Sequence, residues 1–302
     1  MLYPKISIVT ACFNMEKYIE ATIQSVVNQN YPNLEYIVVD GGSTDGTMEI
    51  VNSYKNSIAL IISEKDDGMY DAIQKGFSRA TGEIFAWLNA DDNYFSWTLE
   101  TVGRIFAENS DVDWLCGVSA FLDEDGNLAR ICNNASAKHQ KDIRRGWCRR
   151  GVYGYLQQES MFYRREVYKN SDGLTFALKD NFRYAADFKL WMNFAENHEL
   201  TSVALPLAAF RRRAGSISVS LVDKYESEVK RACAGNPKYP NFLWRIIPKN
   251  FFFICLMRAL TFRKTKMAFY SFEKQKYLIK NVLRSVSSNT LTDLYYEFKF
   301  RK

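Results

Sequence analysis

Four short apolar runs near the start of the chain, each ending in a burst of polar residues, constrain its fold more than any other feature. Ile6-Ser7-Ile8-Val9 runs into Thr10-Ala11-Cys12-Phe13-Asn14, and Tyr36-Ile37-Val38-Val39 into Asp40-Gly41-Gly42-Ser43-Thr44-Asp45-Gly46-Thr47. Ile58-Ala59-Leu60-Ile61-Ile62 leads to Glu64-Lys65-Asp66-Asp67-Gly68, and Ile84-Phe85-Ala86-Trp87-Leu88 to Asn89-Ala90-Asp91-Asp92. Runs this short and this rich in β-branched and aromatic residues read as strands. Between them the spacing is helical: Ile19, Ile23, Val26 and Val27 form one apolar face between Glu16 and Gln29. Further helices are expected over Gly46–Tyr54, Met69–Ala80 and Trp97–Glu108, with Gly82 as the C-cap of the second. Strands alternating with helices build a parallel sheet with helices on both faces. Ligands of such sheets bind at the carboxyl ends of the strands, where this chain places its polar residues.

After residue 110 the rhythm changes. Val112–Leu122 and Leu128–Cys132 flank Asp123-Glu124-Asp125-Gly126-Asn127, a hairpin signal with Asp-Gly at the turn. Lys138–Arg150, with Lys138, Lys141, Arg144, Arg145, Arg149 and Arg150, reads as a mobile surface loop; Ala185–Asn197 reads as a helix and Val203–Phe210 as a final strand. Beyond Val219 the chain is expected to be helical. Asn241–Phe262 is apolar but broken by Arg245, Pro248, Lys249 and Arg258, so its longest apolar run falls far short of the ~20 residues that span a bilayer. Aromatic residues beside lysine and arginine suit a helix lying on a membrane surface, and packing against the rest of the protein is the alternative.

Composition excludes several classes of function. With 302 residues, 47% of them hydrophobic, the chain can bury one large or two modest cores. Six scattered cysteines (Cys12, Cys116, Cys132, Cys148, Cys233 and Cys255) lack any C-x-x-C pair, which argues against a zinc site or a disulfide framework and for a reduced, cytoplasmic setting. The N-terminal residues run straight into a strand without a signal-peptide apolar stretch. Two histidines leave acid–base chemistry to carboxylates. Charge is uneven: from Ser216 to Lys302, 17 lysines and arginines stand against six acids, a net of +11, which leaves the first 215 residues at −5. No nucleic-acid-binding signature accompanies the basic region, so an anionic membrane surface is the expected partner rather than nucleic acid.

Taken together, the strand-end blocks resemble the nucleotide-binding half of a family 2 glycosyltransferase of the GT-A fold, bacterial-type and non-processive. The matching strings are the T-x-x-F-N ending of the first strand, V-D-G-G-S-T-D-G-T, E-x-D-x-G-x-Y-D-A-x-x-K-G and the D-x-D-type motif at Asn89-Ala90-Asp91. Farther on, Tyr184-Ala185-Ala186-Asp187-Phe188-Lys189-Leu190-Trp191 resembles the family's E-D-x-x-L-W segment, and Phe210-Arg211-Arg212-Arg213-Ala214-Gly215-Ser216-Ile217-Ser218 its Y-R-x-H-x-x-S-x-S loop. The resemblance reaches about residue 218. It implies a Rossmann-type, GT-A-like α/β domain over residues 1–218, divided into a nucleotide-binding half (1–110) and an acceptor half (111–218). A basic amphipathic helical extension would occupy 219–302. Q-x-x-R-W, which accompanies processive synthesis in this family, is absent.

The resemblance implies an enzyme that moves a single sugar from a nucleoside diphosphate sugar, a UDP-sugar first, to a glycan or lipid-linked acceptor in cell-surface polysaccharide synthesis. Phe13 would wall the base; Thr10, Ala11 and Asn14 line the same edge. Asp40 and Asp66 would accept hydrogen bonds from base and ribose, with Gly41 and Gly42 allowing close approach. Lys75 would reach a phosphate. Asp91 is the expected ligand of a divalent cation, Mn²⁺ or Mg²⁺, which prefers oxygen donors. Asn89 stands where the family's first Asp does, Ala90 separates the two, and Asp92 would support the site from behind. Asp187 is the expected general base of an inverting transfer. Trp191, four residues on, would offer a sugar ring its indole face, with Tyr70 and Glu159 as further acceptor contacts. Ala186 replaces the Glu that usually precedes the base, and Glu159 is a substitute for orienting it. Arg211, Arg213 and Ser216 would close over the diphosphate, Arg213 replacing the family's His. Two other readings use the same residues. A sugar nucleotidyltransferase would want a Gly-rich cationic loop after the first strand, which this chain lacks, and an inactive scaffold would draw on Asn89 and Ala186.

Overall fold

The computed structural model describes residues 3–132, 138–150, 152–216, 220–238, 240 and 251–285. Its first half follows the expected alternation: β1 (Ile6–Cys12), α1 (Ile19–Val27), β2 (Leu34–Asp40), α2 (Thr47–Ser53), β3 (Leu60–Ser63), α3 (Met69–Arg79) and β4 (Ile84–Trp87). β5 (Asn93–Tyr94), α4 (Thr98–Glu108), β6 (Trp114–Leu122), β7 (Leu128–Ile131) and α5 (Gln140–Arg144) follow, then a 3₁₀ turn at Gln158–Ser160 and β8 (Met161–Arg164). The remaining described elements are α6 (Arg165–Asn170), α7 (Thr175–Lys179), α8 (Ala186–Asn197), β9 (Leu200–Arg211), α9 (Val222–Ala232), α10 (Phe251–Leu260), β10 (Phe262–Ser271) and β11 (Lys276–Ser285).

One mixed sheet runs β11-β10-β9-β6-β8-β4-β1-β2-β3, with β5 on β9 and β7 on β6. β1, β2, β3 and β4 are parallel, so Cys12, Asp40, Ser63 and Trp87 finish on the same edge. Successive side chains on a strand face opposite sides, and two cores result. Ile6, Ile8, Val38, Ile84 and Ala86 meet α1, α2 and α4 on one face. Val9, Ile37, Val39, Phe85 and Trp87 meet α3, α8 and α9 on the other. Gly76 lets α3 sit on β1, because a Cβ there would lie 2.5 Å from Val9 Cγ1.

Five expectations change. The chain beyond 219 is not helical throughout: residues 262–285 form an antiparallel hairpin that continues the sheet, with β10 parallel to β9. Its sequence alternates exposed Phe262 and Lys264 with buried Thr265 and Met267, a two-residue period that a helix would scramble. Val203–Phe210 therefore lies inside β9, which is not the last strand. The split at 218/219 does not divide the core either, since Val229, Ala232 and Cys233 of α9 pack with the residues of α3 and α8. Lys138–Arg150 is not a surface loop but a docked segment. Asp142, Ile143, Trp147 and Cys148 are buried, Arg263 pairs with Asp142 at 2.8 Å, and Trp147 with Tyr153 packs on Ile254 and Met257 of α10. Lys141, Arg144 and Arg150 occupy its outward positions, while Lys138 is buried with the rest of the segment. Gly82 caps nothing; it has no room for a Cβ beside Ser7, to whose Oγ its N–H donates at 2.8 Å.

Candidate active site

The loops after β1 and β2 are zipped together by backbone-to-side-chain bonds. Asn14, in the left-handed region at φ 52°, receives Thr44 N–H at 2.9 Å and donates its own N–H to Ser43 Oγ at 2.8 Å. Asp45 accepts Thr47 N–H at 3.0 Å at the start of α2. Asp40 is fully buried, and its oxygens take Gly42 N–H, Ser43 N–H and Oγ, and Ser63 Oγ at 2.5–3.2 Å. It therefore builds the turn rather than presenting a spare carboxylate. Asp66 does sit at the rim. It takes Gly68 N–H at 2.8 Å and lies so close over Gly41 that a Cβ there would stand 2.7 Å from Asp66 Oδ2.

Around this edge the side chains divide into supports and exposed groups. Phe13 is 56% exposed directly after β1, a ring available to a flat ligand. Thr10 is buried beneath it and accepts Tyr36 OH at 3.1 Å. Ala11 packs into the core and Ala90 is buried, so both shape the wall. Lys75 bridges Glu64 at 2.9 Å and Asp71 at 3.2 Å, so a phosphate would compete with two carboxylates for it.

The turn after β4 carries the densest polar network. Asp92 is fully buried, accepting Arg211 N–H at 2.9 Å and Asn89 Nδ2 at 3.1 Å; burial, then the neighbouring Asp91 and Glu159 charges, raise its pKa far above the carboxylate range. Arg211 was expected over a diphosphate. Instead it donates to Asp91 O, Glu124 O and Asn93 Oδ1 at 2.7–3.1 Å and is 4% exposed, a bolt between the β4 turn and the β6–β7 turn. Arg213 Nε lies 2.7 Å from Asp91 Oδ2, with its guanidinium 4.9 Å from the Tyr18 ring. Ser216 is buried behind this loop.

Whether these residues suit a divalent cation turns on Asn89 and Asp91. Asn89 Oδ1 is buried without a hydrogen-bond partner, beside the Asp91 carboxylate, which pairs with the Arg213 guanidinium. One carboxylate and one amide oxygen fit a hard cation that takes its remaining ligands from phosphates and water. Among the described residues no group of three or more His, Cys, Asp or Glu forms a protein-only cage.

Asp187 begins α8, on the other side of the same edge. Its Oδ1 receives Tyr70 OH at 3.2 Å, and its N–H points back to that hydroxyl at 3.4 Å. Burial pushes the Asp187 carboxyl up to about 6, against hydrogen bonds from Phe188 N–H and Tyr70 that hold it down. Tyr70 is thus a support for Asp187 rather than a free acceptor contact. Glu159, 2% exposed with Oε1 unpartnered, is held well above the usual range by burial, with Asp187 and Asp91 adding. Glu159 therefore stands in the field of both, which brings the β4 turn and Asp187 of α8 to one locus. Trp191 is not a sugar platform. It is buried and stacked between Trp87 at 5.4 Å and Trp114 at 5.6 Å, because its helix face is the core face.

Sequence reasoning missed Glu228 on α9, which accepts the N–H groups of Arg183, Tyr184 and Ala185 at 2.8–2.9 Å. It also missed Tyr225, whose raised pKa reflects burial and the nearby Asp187. No motif spacing marks either residue; α9's amphipathic pattern was the only signal available.

Known proteins share this architecture. The model of the family described as glycosyl transferase family 2 matches residues 7–171. A cholesterol galactosyltransferase of Borreliella burgdorferi is 37% identical over 111 residues, 36% of this chain and 31% of that protein. A putative teichuronic acid biosynthesis glycosyltransferase, TuaG, of Bacillus subtilis is 36% identical over 110 residues, 35% of this chain and 44% of that protein. The chain thus matches less than half the length of each of these relatives. Among solved structures, S. aureus TarS 1-349 in complex with UDP-GlcNAc superposes with a TM-score of 0.57 at 21% identity, covering 76% of this chain and 65% of that one. Glucosyl-3-phosphoglycerate synthase of Mycobacterium tuberculosis, in complex with Mn²⁺, UDP and phosphoglyceric acid, gives 0.52 at 15% identity over 94% and 88%. With more than half of its residues inside the matched region and the fold these structures share, the chain belongs to glycosyl transferase family 2.

Proposed function

We propose that the protein is an inverting glycosyltransferase. It moves one sugar from a nucleoside diphosphate sugar, a UDP-sugar in this reading, to a hydroxyl of a glycan or lipid-linked acceptor in surface polysaccharide synthesis. The observation that carries the reading is Asp187: a carboxylate held by Tyr70 at the carboxyl edge of the sheet, with a pKa of about 6 set chiefly by burial. A group that is deprotonated yet basic near neutrality suits a general base. Asp187 takes the acceptor proton while the acceptor oxygen bonds to the anomeric carbon. The bond from that carbon to the diphosphate breaks on the opposite face, which inverts the configuration.

Phe13 offers its exposed ring to the base of the donor, and Asp66 accepts from base or ribose. Asp91 and Asn89 would hold a Mn²⁺ or Mg²⁺ ion, which when bound offsets charge on the diphosphate. Arg213 pairs with Asp91 without ligand and exchanges that carboxylate for a phosphate oxygen when the donor arrives. The test is release of UDP from UDP-glucose, UDP-galactose and UDP-N-acetylglucosamine with Mn²⁺ and a mixed glycan acceptor pool. Asp187→Asn and Asp91→Ala should each cut it by about 100-fold or more without unfolding the protein. Full turnover by either variant refutes that residue's role.

The acceptor side faces a membrane in this reading, peripherally on the inner leaflet. Among the described residues no helix is long and apolar enough to cross a membrane. Leu256, Leu260, Phe262, Phe272 and Leu283 are exposed in a region that also carries Arg258, Lys264, Lys274, Lys276 and Lys280. Apolar side chains among cations suit an anionic lipid surface. Co-sedimentation with phosphatidylglycerol vesicles should fall in a Phe262→Ser/Leu283→Ser variant, and unchanged binding would reject this face.

A further inference from the structure

We infer that Glu228, on α9, is a positioning residue for the base: it anchors the chain entering α8 and so fixes where Asp187 stands. The inference rests on Asp187 being the base and deepens that reading. Glu228 is 8% exposed and receives three consecutive backbone N–H groups, Arg183 at 2.9 Å on Oε1, and Tyr184 at 2.9 Å and Ala185 at 2.8 Å on Oε2. Consecutive N–H groups just ahead of a helix have no partners inside it, and a carboxylate there is also favoured by the helix dipole.

The anchored residues connect directly to the base. Tyr184 O and Asp187 Oδ1 both lie 3.2 Å from Tyr70 OH, and Asp187 N–H closes the loop at 3.4 Å. Glu228 fixes the backbone, the backbone places Tyr184 O, and Tyr70 ties that oxygen to the carboxylate. Nothing on α8 itself performs this task. Asp187 is the sole acid of its first turn, and Ala186 beside it is buried and apolar. A bond to a charged group shared by three donors is stronger than a neutral cap, and a displacement of about 1 Å at a reacting group costs on the order of 100-fold in rate.

Glu228 also acts on Asp187 through its charge. The groups facing Asp187 are Tyr70 from α3, Glu159 from the 3₁₀ turn, and Tyr225 and Glu228 from α9. After burial, which dominates, the Glu228 charge adds to the upward push on the Asp187 carboxyl. Arg231 Nη2 stands 4.0 Å from Glu228 Oε1 and donates to Asn181 O at 2.7 Å, so the closest donors to the Glu228 carboxylate are the three backbone N–H groups.

Glu228→Gln removes the charge and turns an acceptor into an amide donor facing N–H groups, with little change in volume. Glu228→Asp keeps the charge but shortens the reach by one methylene. Two measurements on the full chain are needed. The first follows the Asp187 resonance in a ¹³C-carboxyl-aspartate NMR titration, assigned by its loss in Asp187→Asn. The second follows UDP release from the UDP-sugar that the wild type turns over. In Glu228→Gln the Asp187 midpoint should move down from about 6 and kcat should fall about tenfold or more with donor KM unchanged. Glu228→Asp should hold the midpoint up while kcat still falls. An unmoved midpoint together with wild-type kcat in Glu228→Gln reduces Glu228 to a fold-only cap and overturns the inference. Should the Gln variant fail to fold, the Asp variant decides: lowered kcat at constant donor KM supports positioning, and wild-type kcat overturns it. Turnover by Asp187→Asn at the wild-type rate would instead remove the base itself, whatever Glu228 does.

Discussion

Replacing Asp187 by asparagine should make the protein more stable at neutral pH while removing its activity. The folded protein holds this carboxyl near 6, whereas an aspartate in an unfolded chain titrates near 3.9, about two units lower. Each unit is worth about 1.4 kcal/mol, so ionising Asp187 costs the folded state roughly 3 kcal/mol before screening, and roughly 2 kcal/mol once its partial exposure is counted. Because the folded pKa of this acid is raised, the penalty is absent below about pH 4, grows through about pH 6 and is complete above it. Urea unfolding at pH 7.5 and at pH 4 reads it directly. Asp187→Asn should gain roughly 2 kcal/mol at pH 7.5 and nearly nothing at pH 4, since a protonated carboxyl and an amide are close in shape and polarity. An equal effect at both pH values would mean that burial does not strain the ionised form. The base assignment would then lose its physical support.

Trp191→Ala should cost about 3–5 kcal/mol of stability in denaturant unfolding, because it empties the middle of a buried aromatic stack; a large rise in acceptor KM at unchanged stability would restore the sugar-platform role. Arg213→Ala should tighten Mn²⁺ binding in the absence of nucleotide and weaken UDP binding in its presence, both by calorimetry, because Arg213 now occupies the Asp91 carboxylate. Loss of both would place Arg213 in the fold instead. Gly41→Ala should weaken UDP binding about tenfold or more by displacing Asp66 from the rim, and unaltered binding would show that Asp66 does not touch the nucleotide.

The parallel half of the sheet was legible because strand and helix periods are printed in local sequence, and because each strand ended in residues that strands do not favour. The candidate base and the candidate cation ligands were legible only through resemblance. An aspartate on a helix carries no mark of burial, and nothing near Asp187 in sequence tells of Tyr70 or Glu228. The β10–β11 hairpin was lost in a stretch whose basic composition suggested a tail. Its alternation shows once exposed Phe262 and Lys264 are set against buried Thr265 and Met267. Trp191 and Arg211 failed for one reason: residue type suggested a ligand, while neighbours far away in sequence had already claimed the side chain.

The stacked indoles of Trp87, Trp191 and Trp114 join the end of β4, the middle of α8 and the start of β6. Three rings packed face to face cannot slide without opening a void. The turn bearing Asp91 starts two residues past one end of that stack, and Asp187 lies one helical turn before its centre. The spacing between the Asp91 turn and Asp187 is therefore built into the packed core. Any closure over a ligand must come from parts outside this clamp, and beside the bolted Arg211 the Arg213–Asp91 ion pair is the contact that a ligand can exchange.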